Sequence, residues 1–132
     1  MSNRANALAD RIELGARTLA GFAEGLSDAD WRAAVPPDGR QVGVIIQHVA
    51  TMYPTEIELA QTIGSGKAIA GLSWEAIAGI NAKHAHNHAA VGKAETLKLL
   101  RDNAQAAAGA VRAFPDEQLD RAAPVSLAAD AP

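Results

Sequence analysis

The chain contains no cysteine. Disulfides, thiolate nucleophiles and Cys-ligated zinc are therefore excluded. Aromatic residues are scarce, with two Trp, two Phe and one Tyr, so few large rings are available to fill a core. No apolar run reaches the ~18 residues that a membrane-spanning helix needs. Positive charge is not in excess: 12 Lys and Arg face 15 Asp and Glu, a net charge of −3. Nucleic-acid binding would call for a basic patch, and none is expected. The opening stretch MSNRANALADRIEL has no signal-peptide apolar core, so a cytoplasmic protein without membrane or nucleic-acid partners is expected.

What remains is a 132-residue chain that is 48% apolar, much of it alanine. That length suits one domain with a real core. Alanine favours helix and lets helices approach closely, but it buries little area per residue. A helical protein with a thin core is expected, one that draws on a partner surface for stability.

Residues 3–25 read as a first helix. Leu8, Ile12, Leu19 and Phe22 recur near helical spacing, Ala5, Ala16 and Ala23 fill gaps, and Gly25 is placed to end the helix in a left-handed conformation. Ser27 to Trp31 has a capping-box pattern, with Ser27 as N-cap and Asp30 three residues on. Val35 to Gly39 is a stop and turn, since Pro37 disfavours helix at Pro36 and Asp38-Gly39 suits positive backbone angles. A long helix follows over residues 41–63. Its broad apolar stripe includes Val42, Ile46, Val49, Met52, Glu56 and Ile57, with Val44, His48 and Leu59 on its flank. Pro54 lies inside it and deprives the Ala50 carbonyl of its helical donor. Ser73 caps a third stretch from Trp74 to about Ala90. Gly92 breaks the chain before a helix from about Lys93 to Phe114. One continuous helix across both stretches would span ~60 Å, too long for a domain of this size, so two pieces are expected, a continuous helix shared between subunits being the alternative. Pro115 ends the second piece. Asp116 to Asp120 makes about one turn, and 121–132 reads as an extended Ala/Pro-rich tail beside a domain of residues 1–120.

Four histidines carry the chemical interest. His48 sits among apolar residues, where an imidazole is commonly a satisfied core group and also a common metal ligand. His84 and His88 are four apart and share a helix face, while His86 points to solvent. Such a pair can chelate one divalent ion, and His48 from a neighbouring helix could complete a three-histidine set; an Ala-rich helix that merely carries histidines near its surface is the plainer alternative. A zinc-protease reading fails because Ala85, not Glu, follows His84. Gly64 to Ala68 fails the phosphate-loop pattern, with Ala68 where Ser or Thr should hold magnesium. Glu56, on the apolar stripe, would want a partner if buried. Trp31 and Trp74 read as core or groove anchors.

The run Val42-Gly43-Val44-Ile45-Ile46-Gln47-His48-Val49-Ala50 resembles the second helix of the DinB-like (DinB/YfiT) four-helix-bundle family. Trp31 and Pro36 precede it at a matching distance. Trp74 to Asn81, Glu95-Thr96-Leu97, Leu99-Leu100 and the Pro115 to Asp120 step resemble later parts, so the likeness covers about residues 3–125. The resemblance implies an all-α up-down bundle and a divalent metal, nickel or zinc, held by three histidines. It also implies thiol-dependent transferase or isomerase relatives. His48 matches the family's first ligand. The family's other two ligands form an H-x-x-x-H pair on a final helix, which the sequence to Pro132 lacks; His84 and His88 have the spacing on an earlier segment.

The expectation is thus a DinB-like bundle short of its last helix, its open apolar face covered by a second copy in a homodimer. Its function would be metal-dependent transfer or hydrolysis with His48, His84 and His88 as ligands. The alternative is a non-catalytic helical dimer that binds a small apolar ligand or a protein partner.

Overall fold

The computed structural model describes residues 2–88 and 90–128. Met1, at the start of the expected domain, Ala89, in the expected third helical stretch, and 129–132, the end of the expected tail, lie outside them. The fold is all-α: α1 (Asn3–Glu24), α2 (Asp28–Arg32), α3 (Val42–Gly64), α4 (Trp74–Asn87), α5 (Lys93–Arg112) and α6 (Asp116–Leu119). A two-residue hairpin, β1 (Ala34–Val35) and β2 (Arg40–Gln41), stands before α3, with Gly39 at a φ of 76° in its turn. Sequence periodicity did not suggest these strands, which are too short to carry a period.

The core is a three-helix contact in which α5 packs against both α1 and α3. Its α1 surface is the expected one in part: Ile12 and Leu19 pack against the core and the gap-filling Ala5, Ala16 and Ala23 are buried, but two of the large residues are not. Ala5, Ala9, Ala16, Ala20 and Ala23 are buried, whereas Leu8 and Phe22 are exposed, Phe22 to 61%. The reason is on the partner: α5 presents Ala104, Ala107 and Ala108, also buried. Small side chains on both sides let two helices approach closely, and larger ones would hold them apart. Leu97, Leu100, Val111 and Phe114 of the α5 region are buried as expected. At the rim, Arg112 reaches Asp10 at 2.9 Å and Glu13 at 2.5 Å, joining α5 to α1. Gly25 ends α1 in a right-handed conformation (φ −79°), so the expected left-handed cap is corrected: its N–H reaches the Phe22 carbonyl at 3.2 Å without one.

The buried face of α3 is also rotated from the expected stripe. Gly43, Val44, Ile46, Gln47 and Ala50 are buried; Val49 and Glu56 are exposed. Glu56 therefore needs no buried partner. Trp31 explains the rotation at one end. A Cβ on Gly43 would lie 2.3 Å from Trp31 Cε2, so the indole occupies the space a side chain would fill. Trp31 is buried, and its Nε1–H donates to the Val91 carbonyl at 3.1 Å. Trp74, by contrast, is 71% exposed and anchors no core. It stands at the first position of α4, a helix that buries no residue fully.

α3 runs unbroken through Pro54. The Ala50 carbonyl, deprived of its helical donor, accepts the Asn103 side-chain N–H from α5 at 2.9 Å. The capping box at α2 is present, with Ser27 accepting from Asp30 N–H at 3.1 Å and Asp30 from Ser27 N–H at 3.4 Å. α4 and α5 are separate pieces, with Ser73 and Gly92 as their N-caps. The segment expected as an extended tail has no regular structure over 121–124, is tied down where Val125 bridges Ile69 and Ser126 N–H donates to the Ile69 carbonyl at 2.9 Å, and then makes a short 3-10 turn at Ser126–Ala128. The Ser126 hydroxyl also donates to the Leu72 carbonyl at 2.7 Å. Alternation is not needed for such a strap, so periodicity could not reveal it.

The Asn103 bond yields a double-mutant test. Asn103→Leu should destabilise the protein by about 1–3 kcal/mol, because the buried Ala50 carbonyl loses its donor. Pro54→Ala returns a backbone N–H to that carbonyl, so it should stabilise more in the Asn103→Leu background than in the wild type. Urea unfolding of the four proteins measures the coupling; simple additivity would show that Asn103 does not serve that carbonyl.

Candidate metal and ligand site

Two elements bring the histidines together. His48 lies on α3, one residue after the buried Gln47 and just over one turn from the Gly43–Trp31 contact. His84 is near the end of α4, and His88 is its C-cap residue. The Trp31 bond to Val91 holds the chain that follows α4 against the start of α3. His48 and His84 have ring centroids 4.9 Å apart, inclined at 64°. His84 and His88 stack at 4.3 Å and 18°. All three expected site residues thus meet, while His86 is exposed.

The nitrogens of these rings are unequally used. His84 Nε2 hydrogen-bonds Gln47 Oε1. An amide oxygen accepts, so Nε2 carries the proton and Nδ1 keeps its lone pair. Among the described residues that buried Nδ1 has no hydrogen-bond partner, nor has Nδ1 of His48. His88 Nδ1 donates to the His84 carbonyl at 3.0 Å, which leaves its Nε2 unprotonated in the neutral ring. Buried polar atoms without partners are uncommon and call for an explanation.

Burial, and then the Arg40 cation, pushes the His48 pKa below its ordinary value. His84 is pushed down to about 4, chiefly by burial, then by His88, His48 and Arg40. At neutral pH both rings are therefore uncharged, the state in which imidazole ligates metal. The donor chemistry fits a divalent ion. The arrangement differs from a closed site: among the described residues, no group of three or more His, Cys, Asp or Glu side chains is placed to hold one. Stacked rings present faces to each other, whereas ligation uses in-plane lone pairs.

Beside His48 runs an apolar cleft of about 880 Å³. Met52, Leu59 and Ile63 of α3 form its floor, Ile77 and Ile80 of α4 one wall, and Ile69 with the strapped Val125 the other. A second cleft of about 660 Å³ adjoins it along Glu56, Ala60 and Ile63 and runs toward α1 and α6, taking in Leu8 and Phe114.

Sequence reasoning missed Gln47 and Arg40. Gln47 had a signal: it is a polar residue within an apolar run, spaced with Gly43 and Ala50 on the face that proved to be the core. Arg40 had none, because its effect depends on the hairpin that sets it near α3. Its guanidinium is held by Asp38, with Nε 2.9 Å from the carboxylate. The backbone N–H and the cation of Arg40 together lower the Asp38 pKa.

Acid stability should report the His84 environment. Between its ordinary pKa of 6.5 and about 4, the unfolded chain binds a proton that the folded chain refuses. Stability must then fall as pH drops through that window and be insensitive to this group above it. The difference in urea midpoint between wild type and His84→Gln should shrink or reverse from pH 7.5 to pH 4. A pH-independent difference would refute the assignment.

Comparison with known proteins places the chain. No curated protein and no solved structure matches it. A family model described as mycothiol maleylpyruvate isomerase N-terminal domain matches residues 12–131, nearly the whole sequence. The chain belongs to that family, a DinB-like helical domain.

Proposed function

We propose that His48, His84 and His88 bind one divalent cation, zinc or nickel, and that the protein uses it in thiol-dependent transfer or hydrolysis. The observation that carries this reading is the meeting of three imidazoles, two of them with a buried, unpartnered Nδ1. Burial and Arg40 keep His48 and His84 uncharged, as ligands must be. Gln47 holds the His84 ring with Nδ1 unprotonated, and a hydrogen bond to the other nitrogen commonly sets the tautomer of a ligating histidine in this way. Uptake requires His84 and His88 to give up their stacking. The family name joins this domain to a mycothiol maleylpyruvate isomerase, which supports thiol-linked chemistry here. When bound, a divalent ion supplies Lewis acidity that favours the ionised form of a thiol or water. The chain's own part is to orient the rings, hold them neutral and line the adjoining space with apolar groups.

Metal analysis of natively purified protein, repeated after incubation with zinc or nickel, tests this. About one ion per chain is expected for the wild type, and His48→Ala should lose it while keeping its helical circular dichroism. Gln47→Leu should bind metal ~10–100-fold more weakly. A wild type that takes up no stoichiometric metal under either condition overturns the proposal.

Self-association is the second part of the reading, and the exposed Leu14 and Phe22 on α1 support it. They flank a shallow depression that includes Gly15 and Thr18. Light scattering should give twice the chain mass of 13.7 kDa, and Phe22→Lys should return it to one chain. A monomeric wild type at micromolar concentration ends this part.

A further inference from the structure

We infer that the cleft beside His48 takes an uncharged, long-chain apolar molecule. Shape and charge both lead there. From His48 to Ile63 the cleft follows 15 residues of α3, about 22 Å at the helical rise of 1.5 Å per residue. Its volume of about 880 Å³ is within the range of small-molecule sites, and its length suits an extended chain better than a compact ring. The walls come from separate parts of the sequence: Ile77 and Ile80 from α4, and Ile69 and Val125 from two segments held together by a parallel bridge. Among the described residues, no Lys or Arg lines the cleft, and Glu56 is its one acidic side chain. In the metal-free protein a carboxylate or phosphate placed there would lose water without gaining a cation and would face the Glu56 carboxylate. An uncharged chain meets neither cost and covers Met52, Leu59 and Ile77, which are only partly buried.

His48 belongs to the same lining, so the cleft opens directly onto the histidine cluster. Placing the molecule's reactive end at His48 rests on the metal reading above. Occupation of the cleft by an uncharged chain does not.

The test uses the full chain and the uncharged dye Nile red, displaced by 1-dodecanol or by dodecanoate at pH 8. Saturable dye binding is expected, with 1-dodecanol displacing at a concentration at least tenfold lower than dodecanoate. Ile77→Asp should weaken 1-dodecanol binding at least tenfold; Ile77 is on a helix with no fully buried residue, and circular dichroism confirms folding. Leu8→Lys, which lines the adjoining cleft and not this one, should leave binding unchanged. All binding is measured with EDTA present, so that no metal draws dodecanoate to His48, and failure of the metal reading and failure of this one are separable. Equal or tighter binding of dodecanoate overturns the proposal. So does an unaltered Ile77→Asp, a loss in Leu8→Lys equal to that in Ile77→Asp, or a dimer whose mass Ile77→Asp halves while the wild type binds no 1-dodecanol.

Discussion

The contact between Trp31 and Gly43 is the constraint on which the site depends. The indole fills the volume where any side chain at position 43 would lie. Its single N–H is directed at the Val91 carbonyl on the far side. One residue thus ties α2, the start of α3 and the link between α4 and α5. His48 lies just over one turn along α3 from Gly43, and His88 is three residues before Val91. This wedge thus sets where both halves of the histidine cluster start from: His48 directly through α3, His84 and His88 through the anchored link that follows α4. Overpacking a tight interior site typically costs 1–3 kcal/mol, and a glycine closed by a backbone-anchored indole leaves little room for relaxation.

The rest of the core follows from alanine. α1 and α5 meet through small side chains, which lets them pack closely while leaving Leu8, Leu14 and Phe22 outside. On its other side α5 meets α3, where Asn103 satisfies the carbonyl freed by Pro54. An internal proline leaves one carbonyl without its helical donor; here a neighbouring helix supplies it and α3 continues past Pro54. The outcome is a rigid three-helix unit with little apolar area per residue and several larger apolar groups left for its clefts and surface.

These features explain what was legible in the sequence. The existence and order of the long helices could be read from spacing, caps and breakers: Ser27, Ser73, Gly92 and Pro115 each mark the boundary they were expected to mark. The phase of burial could not. A hydrophobicity pattern weights Leu8 and Phe22 above Ala9 and Ala20, but partner size decides which row turns inward. Trp74 misled for the same reason, since a large ring is an anchor only where a neighbour has left room. At the site, the i,i+4 spacing of His84 and His88 was visible, and the structure brings His48 to them. The bond from Gln47 and the field of Arg40 are tertiary facts, fixed by how α3 rotates against Trp31 and by the hairpin at 34–41.

The histidine cluster spans a boundary between two kinds of packing. His48 and Gln47 stand on α3, which is locked to α5 and α2. His84 and His88 stand at the end of α4, which buries no residue fully and touches α3 only lightly. Segments with few buried contacts open at low free-energy cost, so α4 is the side able to adjust. Its attachment near the site relies on the Gln47–His84 bond and the anchored Val91; farther along, Ile77 and Ile80 face a cleft and not a filled core. A ligand bridging α3 and α4 would therefore do more than occupy space. It would add contacts to the least supported helix, and its binding free energy would appear as added stability of the folded state. The unpartnered nitrogens and the unfilled apolar walls lie along this one seam, between a helix the core has fixed and a helix it has not.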